Sequence, residues 1–275
     1  MGRATLLAVM VVLALSAAPA AADVPAPGVP PPGANDFGCR SPSHATPVIL
    51  VHGTFADMMI SWNLFAPALE RAGYCVFALD LVRRGMAPID QSGDKLAAFI
   101  DEVRTRTGAA RVSLVGHSQG GMLPRYVARF RGKLHVIDDI VGLAPSSHGT
   151  TTPFAGPAAR LLDCPACAEQ QAGSPFMQKL NAGEEAPPPV SYTVVSTRHD
   201  EVATPYQSQA LAGSNATNVV LQDDCPADPS EHLTIIYDPV ALRWTLDALA
   251  HTGPADPALR PGCAGVVTAH ATRRR

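Results

Sequence analysis

The sequence predicts an α/β architecture in three layers: a mostly parallel central sheet flanked by helices on both faces. Three observations predict it. Short apolar, β-branched runs alternate with segments of helical periodicity along most of the 275 residues. The run 48–51 is short, β-branched and apolar throughout rather than alternating, as in a strand buried on both faces. Hydrophobic residues make up 47% of the chain against 16% charged, with no internal repeat, which suits a single sizeable core.

The elements follow in order. Residues 48–51, Val-Ile-Leu-Val before Gly53, predict the first strand, and 62–72 a helix with Leu64, Phe65, Ala68 and Leu69 on one face. Residues 75–79 predict the second strand. A helix over 92–107, opened by Ser92 or Asp94 and stopped by Gly108, carries the stripe Leu96, Phe99, Ile100 and Val103. Residues 112–115 predict the third strand. A helix follows over 122–130, with Pro124 expected in its first turn. Strands are expected at 135–143, 191–196 and 218–221, and a final amphipathic helix at 238–250. Between them, 150–189 is rich in Pro and Gly and is expected to be an irregular, cap-like insertion.

The ends are read apart from the fold. Arg3, the apolar run 6–15 and Ala20-Ala21-Ala22 make residues 1–22 a signal peptide. The run is shorter than the ~20 residues of a membrane span, so no stable membrane insertion is expected. Residues 23–38 are expected to form a Pro/Gly-rich linker, 39–265 a catalytic domain and 266–275 a basic tail. A formal net charge of -3 excludes an overall basic field for nucleic acid. The chain is expected to be secreted, extracellular and monomeric. Six cysteines in an exported chain imply disulfides, with fifteen pairings open. The preferred set is Cys39 with Cys75, Cys164 with Cys167 and Cys225 with Cys263. A redox or zinc half-site is the rival reading of Cys164-Pro-Ala-Cys167.

Gly116-His117-Ser118-Gln119-Gly120 matches Gly-x-Ser-x-Gly. It lies between a predicted strand and a predicted helix, the setting of a nucleophile elbow. Small residues at 116 and 120 let the backbone close around Ser118 without Cβ clashes. The amide of Gln119 is then one oxyanion donor. Thr54, in His52-Gly53-Thr54-Phe55 after the first strand, supplies the second, with the Phe55 amide as fallback. His52 is read as a residue that orients this loop. In this arrangement the acid and then the base follow the nucleophile along the chain. Asp200, after the strand 191–196, is the acid, with Glu201, Asp223 and Asp224 as rivals. His232, between the last strand and last helix, is preferred as base over His251 and His270.

The segments Val-His-Gly-Thr, Gly-His-Ser-Gln-Gly-Gly, His-Asp-Glu-Val-Ala-Thr-Pro and Glu-His, in this order, resemble those of secreted bacterial triacylglycerol lipases of the α/β-hydrolase superfamily. The likeness is nearest to the small extracellular lipases of high-GC Gram-positive bacteria and covers residues 40–250. It implies the α/β-hydrolase fold and hydrolysis of acylglycerols or other carboxylic esters without a cofactor. It carries over Ser118, Asp200 and His232 as triad and Thr54 and Gln119 as oxyanion donors. Some relatives bind calcium, but no carboxylate cluster suggests a metal here. A long apolar lid helix is lacking. Phe55 and Met58 are expected to line the substrate site. Alternatives on the same fold are a cutinase-like or polyester hydrolase, a thioesterase or an acyltransferase. A catalytically dead secreted binding protein is the alternative of another class.

Overall fold

The computed structural model describes residues 28–153, 158–263 and 265. The expected signal peptide 1–22, the first residues of the expected linker and the expected tail 266–275 lie outside the described residues.

Six strands form one parallel sheet: β1 (Val48–Val51), β2 (Val76–Leu79), β3 (Val112–His117), β4 (Ile137–Leu143), β5 (Ser191–Ser196) and β6 (Ala216–Val220). Their spatial order is β2-β1-β3-β4-β5-β6. Period-two side-chain alternation divides each apolar strand between two cores. Ile49, Val51, Phe77, Leu79, Val112 and Leu114 face one layer, and Val48, Leu50, Val76, Ala78 and Val115 face the other. The first layer is covered by α3 (Ile89–Thr107) and α4 (Gln119–Phe130), the second by α1 (Met58–Trp62), α2 (Phe65–Arg71) and α9 (Pro239–Ala250). This is the α/β-hydrolase fold.

Several boundaries differ from the sequence expectation, for local reasons. The helix expected over 62–72 is two helices, α1 and α2. Asp57 caps the first by accepting from the Ile60 amide at 2.8 Å, so it starts before Trp62. Helix α3 starts at Ile89 after Pro88, ahead of the expected Ser92 or Asp94. Helix α4 begins at Gln119, directly after Ser118, so Pro124 lies in its interior and not in its first turn. Strand β4 begins at Ile137, because 134–136 form a 3-10 turn. The insertion 150–189 contains three short helices, α5 (Ala158–Leu161), α6 (Pro165–Glu169) and α7 (Pro175–Asn181). A further short helix, α8 (Leu221–Asp224), follows β6.

The described part of the expected linker is docked. The Asn35 backbone amide donates to the Val76 carbonyl at 2.9 Å. Its side-chain amide donates to Ala78 O at 2.9 Å and accepts from Ala78 N at 2.7 Å. One asparagine of the expected Pro/Gly-rich linker thus completes the edge of β2, a pairing that composition does not reveal. Disulfides join Cys39 to Cys75, Cys164 to Cys167 and Cys225 to Cys263, and no cysteine is free among the described residues.

Candidate active site

The strand order places β2 and β3 on opposite sides of β1, so the chain leaves β1 and β3 in opposite senses. Clefts of open α/β sheets form at such a point, beyond the carboxyl ends of the strands. The Thr54 loop leaves β1 there, and Ser118 leaves β3. Ser118 has φ 55° and ψ -121°, a conformation that a non-glycine residue holds at a cost of about 1–3 kcal/mol. The residues two positions to either side of it must be glycine. A Cβ on Gly116 would stand 1.9 Å from the Gly120 carbonyl oxygen, and one on Gly120 would stand 2.1 Å from Val51 O. The Ser118 amide is held by Leu143 O on β4 at 3.0 Å.

Three loops bring one hydrogen-bonded relay of side chains together. His232 Nε2 lies 3.0 Å from Ser118 Oγ, and His232 Nδ1 lies 2.8 Å from Asp200 Oδ2. A carboxylate can only accept, so Nδ1 carries the hydrogen and Nε2 is left as acceptor towards the hydroxyl. Asp200 Oδ2 also accepts from Gln209 Nε2 at 2.7 Å, and Oδ1 accepts from the Val202 and Ala203 amides at 2.9 and 2.7 Å. Burial alone would raise the Asp200 pKa. The hydrogen bond and charge of His232, with those two amides, outweigh it and hold the carboxyl below its usual range.

The rival acids are placed elsewhere. Asp223 is exposed on α8 and pairs with Arg198, and Asp224 pairs with Arg260 at 3.5 Å. Glu201 is exposed beside Glu231. His251, the rival base, is exposed at the end of α9.

Two further histidines support the site. His52 is fully buried. Its Nδ1–H donates to Gly53 O at 2.7 Å and its Nε2 accepts from the Leu81 amide at 2.9 Å, which ties the Thr54 loop to the end of β2. Burial lowers its pKa and keeps the ring neutral. His117 Nε2–H donates to the His232 carbonyl at 2.8 Å and so pins the backbone of His232. Burial first, then the neighbouring charge of His232, push His117 down to about 3, so it stays neutral beside the relay. This role of His117 is absent from the sequence reading. Residue order excludes it as base but does not show which carbonyl its ring meets.

The side of Ser118 towards the Thr54 loop, where the oxyanion donors are expected, is built from neutral groups. The Phe55 amide donates to Arg84 O at 2.8 Å, which removes the expected fallback donor. The amides of Thr54 and Gln119 donate to no other described residue. Thr54 Oγ1 donates to Gln119 Oε1 at 3.1 Å and accepts from Gln170 Nε2 at 3.0 Å, while Ser146 donates to Gln170 Oε1 at 2.8 Å. This network joins the elbow, the Thr54 loop and the insertion beside α6. Of the two residues expected to line the substrate site, Phe55 is exposed at 45%. Met58 is not on the surface. It is buried in the core layer that also holds Trp62 and Phe65, and its amide donates to Asp80 at 2.8 Å. Leu233, the residue after the base, is 60% exposed and was not singled out from the sequence. Among the described residues, no group of three His, Cys, Asp or Glu side chains is placed to hold a metal ion.

The family model of lipase (class 2) matches residues 45–245, a stretch that includes every residue of this relay. The chain belongs to the class 2 lipase family. Triacylglycerol lipases from Pseudarthrobacter phenanthrenivorans and Pseudomonas fragi are similar over shorter stretches. The first is 39% identical over 90 residues (30% of this chain, 28% of the relative), and the second 34% over 108 residues (38% and 36%). The chain thus spans about a third of the length of these curated relatives. Among solved structures, Aspergillus fumigatus lipase B aligns with a TM-score of 0.72 at 24% identity, covering 83% of this chain and 57% of that one. Mature Bacillus licheniformis lipase BlEst2 aligns at 0.56 and 17% identity, covering 77% and 90%. At these identities the likeness concerns the fold of a class 2 lipase, and function rests on the site itself.

Proposed function

We propose that this chain is a secreted carboxylic ester hydrolase that acts on acylglycerols through Ser118, His232 and Asp200. The observation that carries the reading is the single-file relay from Asp200 through His232 to Ser118, with contacts of 2.8 and 3.0 Å at the mouth of the sheet. His232 Nε2 takes the hydroxyl proton as Ser118 Oγ attacks the ester carbonyl. Asp200, kept ionised by its hydrogen bonds, holds the tautomer and stabilises the imidazolium. The amides of Thr54 and Gln119 receive the oxyanion, and the positive N-terminal end of α4 adds to them. The imidazolium returns its proton to the departing alkoxide as the tetrahedral intermediate collapses. Water then repeats the sequence on the acyl-enzyme and regenerates Ser118.

Substrate class rests on the family and on apolar surface beside the relay. Phe55 and Leu233 are exposed directly after an oxyanion residue and the base. Aromatic and aliphatic groups there suit an acyl chain. The three disulfides support an exported protein. Among the described residues no helix is long and apolar enough to cross a membrane.

The test is hydrolysis of nitrophenyl esters of graded chain length and of emulsified triolein, with Ser118→Ala as control. The wild type should cleave esters, and Ser118→Ala should lose at least about 10⁴-fold in kcat with the fold intact. A fluorophosphonate probe should label wild-type Ser118. Esterase activity retained by Ser118→Ala would remove the assignment.

A further inference from the structure

The short 3-10 segment Val82–Gly85, between β2 and α3, has an unusual backbone. Arg83 (φ 49°, ψ 42°) and Arg84 (φ 56°, ψ 37°) both lie in the left-handed region, followed by Gly85 at φ 75°. Consecutive non-glycine residues in this region are disfavoured, because Cβ crowds the following carbonyl oxygen. Such backbone persists only where its surroundings over-determine it.

The contacts of the segment converge on the oxyanion loop. The Arg84 carbonyl accepts from the Phe55 amide at 2.8 Å, and Phe55 is itself at φ 66°. The absent Cβ of Gly85 makes room for that loop: an added Cβ would stand 2.6 Å from Gln119 Oε1 and 3.2 Å from both Gly53 O and the Thr54 Cα. Among the described residues, the Arg84 guanidinium makes only long contacts, 3.4 Å to Ala56 O and 3.5 Å to Asp57 Oδ2. The Arg83 guanidinium reaches the other way, to the carboxylate of Asp163 at 2.8 Å and its carbonyl at 3.2 Å, in the corner between α5 and α6.

We propose that this left-handed turn is the positioning element of the oxyanion hole, with Arg84 acting through its backbone carbonyl rather than its charge. Engaging the Phe55 amide leaves the Thr54 amide as the donor that this loop offers to the reacting carbonyl. Arg84 and Gly85 are therefore positioning residues. The inference rests on the serine-hydrolase reading above and concerns transition-state stabilisation only.

Substitutions at one position separate carbonyl from guanidinium. Arg84→Gly and Arg84→Asn can keep a left-handed backbone, whereas a β-branched residue resists it. The wild type, Arg84→Gly, Arg84→Asn and Arg84→Val are compared for kcat and KM on a soluble nitrophenyl ester and for affinity to an alkyl boronic acid as tetrahedral analogue. Arg84→Val should lose roughly 10- to 100-fold in kcat, with KM within about twofold and a parallel loss of boronate affinity. Arg84→Gly and Arg84→Asn should restore kcat to within about threefold of wild type. Equal losses in Arg84→Gly and Arg84→Val would overturn the carbonyl role in favour of the guanidinium. Full kcat in a folded Arg84→Val would overturn the proposal altogether. Where Arg84→Val does not fold, Gly85→Ala is read in the same way: reduced kcat and boronate affinity support the proposal, and unchanged values overturn it. Failure of the underlying reading is distinguishable, because it appears as an inactive wild type or an active Ser118→Ala.

Discussion

The two sides of Ser118 are held by different means. On the base side, Asp200 and His232 are buried and tied by charge-assisted hydrogen bonds, four of them converging on the Asp200 carboxylate. On the oxyanion side, neutral side-chain amides, a hydroxyl and left-handed backbone position the loop. The difference follows from what each side supplies. A buried carboxylate needs its acceptor sites filled, or its ionised form is lost. An oxyanion donor needs the opposite: an amide with no partner until the transition state forms. The first is secured by many bonds to the group itself, the second by many bonds around it.

That contrast can be broken experimentally. The largest effect is expected on the base side. Asp200→Asn keeps the shape but offers a donor or a weaker acceptor to His232 Nδ1, so the tautomer is no longer held. It should lower kcat by about 10⁴-fold while the melting temperature changes little. A loss below tenfold would show that Asp200 does not hold the base. On the oxyanion side, Gln170→Leu removes the amide that donates to the Thr54 hydroxyl at 3.0 Å. Steady-state kinetics should show kcat reduced about tenfold, less than the ~10²–10³ for a donor lost outright. An unchanged kcat would separate the insertion from the oxyanion loop.

A third effect concerns stability against pH, with no change in rate. His52 and His117 are buried, and both pKa values are lowered by burial. A lowered histidine pKa means that the unfolded chain takes up protons first, so stability is lost as pH falls below 6.5. For His117 the loss runs from 6.5 down to about 3, at about 1.4 kcal/mol per pH unit. Asp200 adds a loss in the same direction below the usual carboxylate range, since its own pKa is lowered. His117→Gln keeps a donor for the His232 carbonyl and removes the titration. Urea unfolding between pH 6.5 and 4 should give a shallower fall of stability in that variant than in the wild type. Parallel slopes would show that His117 is not buried neutral.

Much of this was legible in the residues, and the exceptions share a cause. Strands β1 and β2 stand out because burial on both faces demands unbroken apolar runs, whereas β4, β5 and β6 carry polar residues within shorter apolar stretches. Ser118 is visible because only glycine fits at 116 and 120, where a Cβ would meet backbone at about 2 Å. Chain order narrows the acid to Asp200, Glu201, Asp223 or Asp224 and the base to His232, His251 or His270. Of the pairs described, Asp200 and His232 lie within hydrogen-bond reach of each other. Less legible was Met58, an apolar residue near the mouth by sequence that the capped turn of α1 carries into the core. The same holds for Asn35, which mends a strand edge within Pro/Gly-rich chain, and for Pro124, placed inside α4 by the helix start at Gln119.

The sequence by itself determined the layer architecture, the strained serine turn and the residue types of the relay. These depend on local sterics and on periodic burial, which neighbouring residues express directly. Only the tertiary structure decided which amide of the Thr54 loop is free, that His117 pins the backbone of His232, and that Arg83 and Arg84 take left-handed backbone. Each of these depends on a partner from a distant part of the chain: Arg84 O for Phe55, the His232 carbonyl for His117, Asp163 for Arg83. A hydrogen bond between residues far apart in sequence leaves no local pattern, so it becomes visible only once the sheet has brought the loops together.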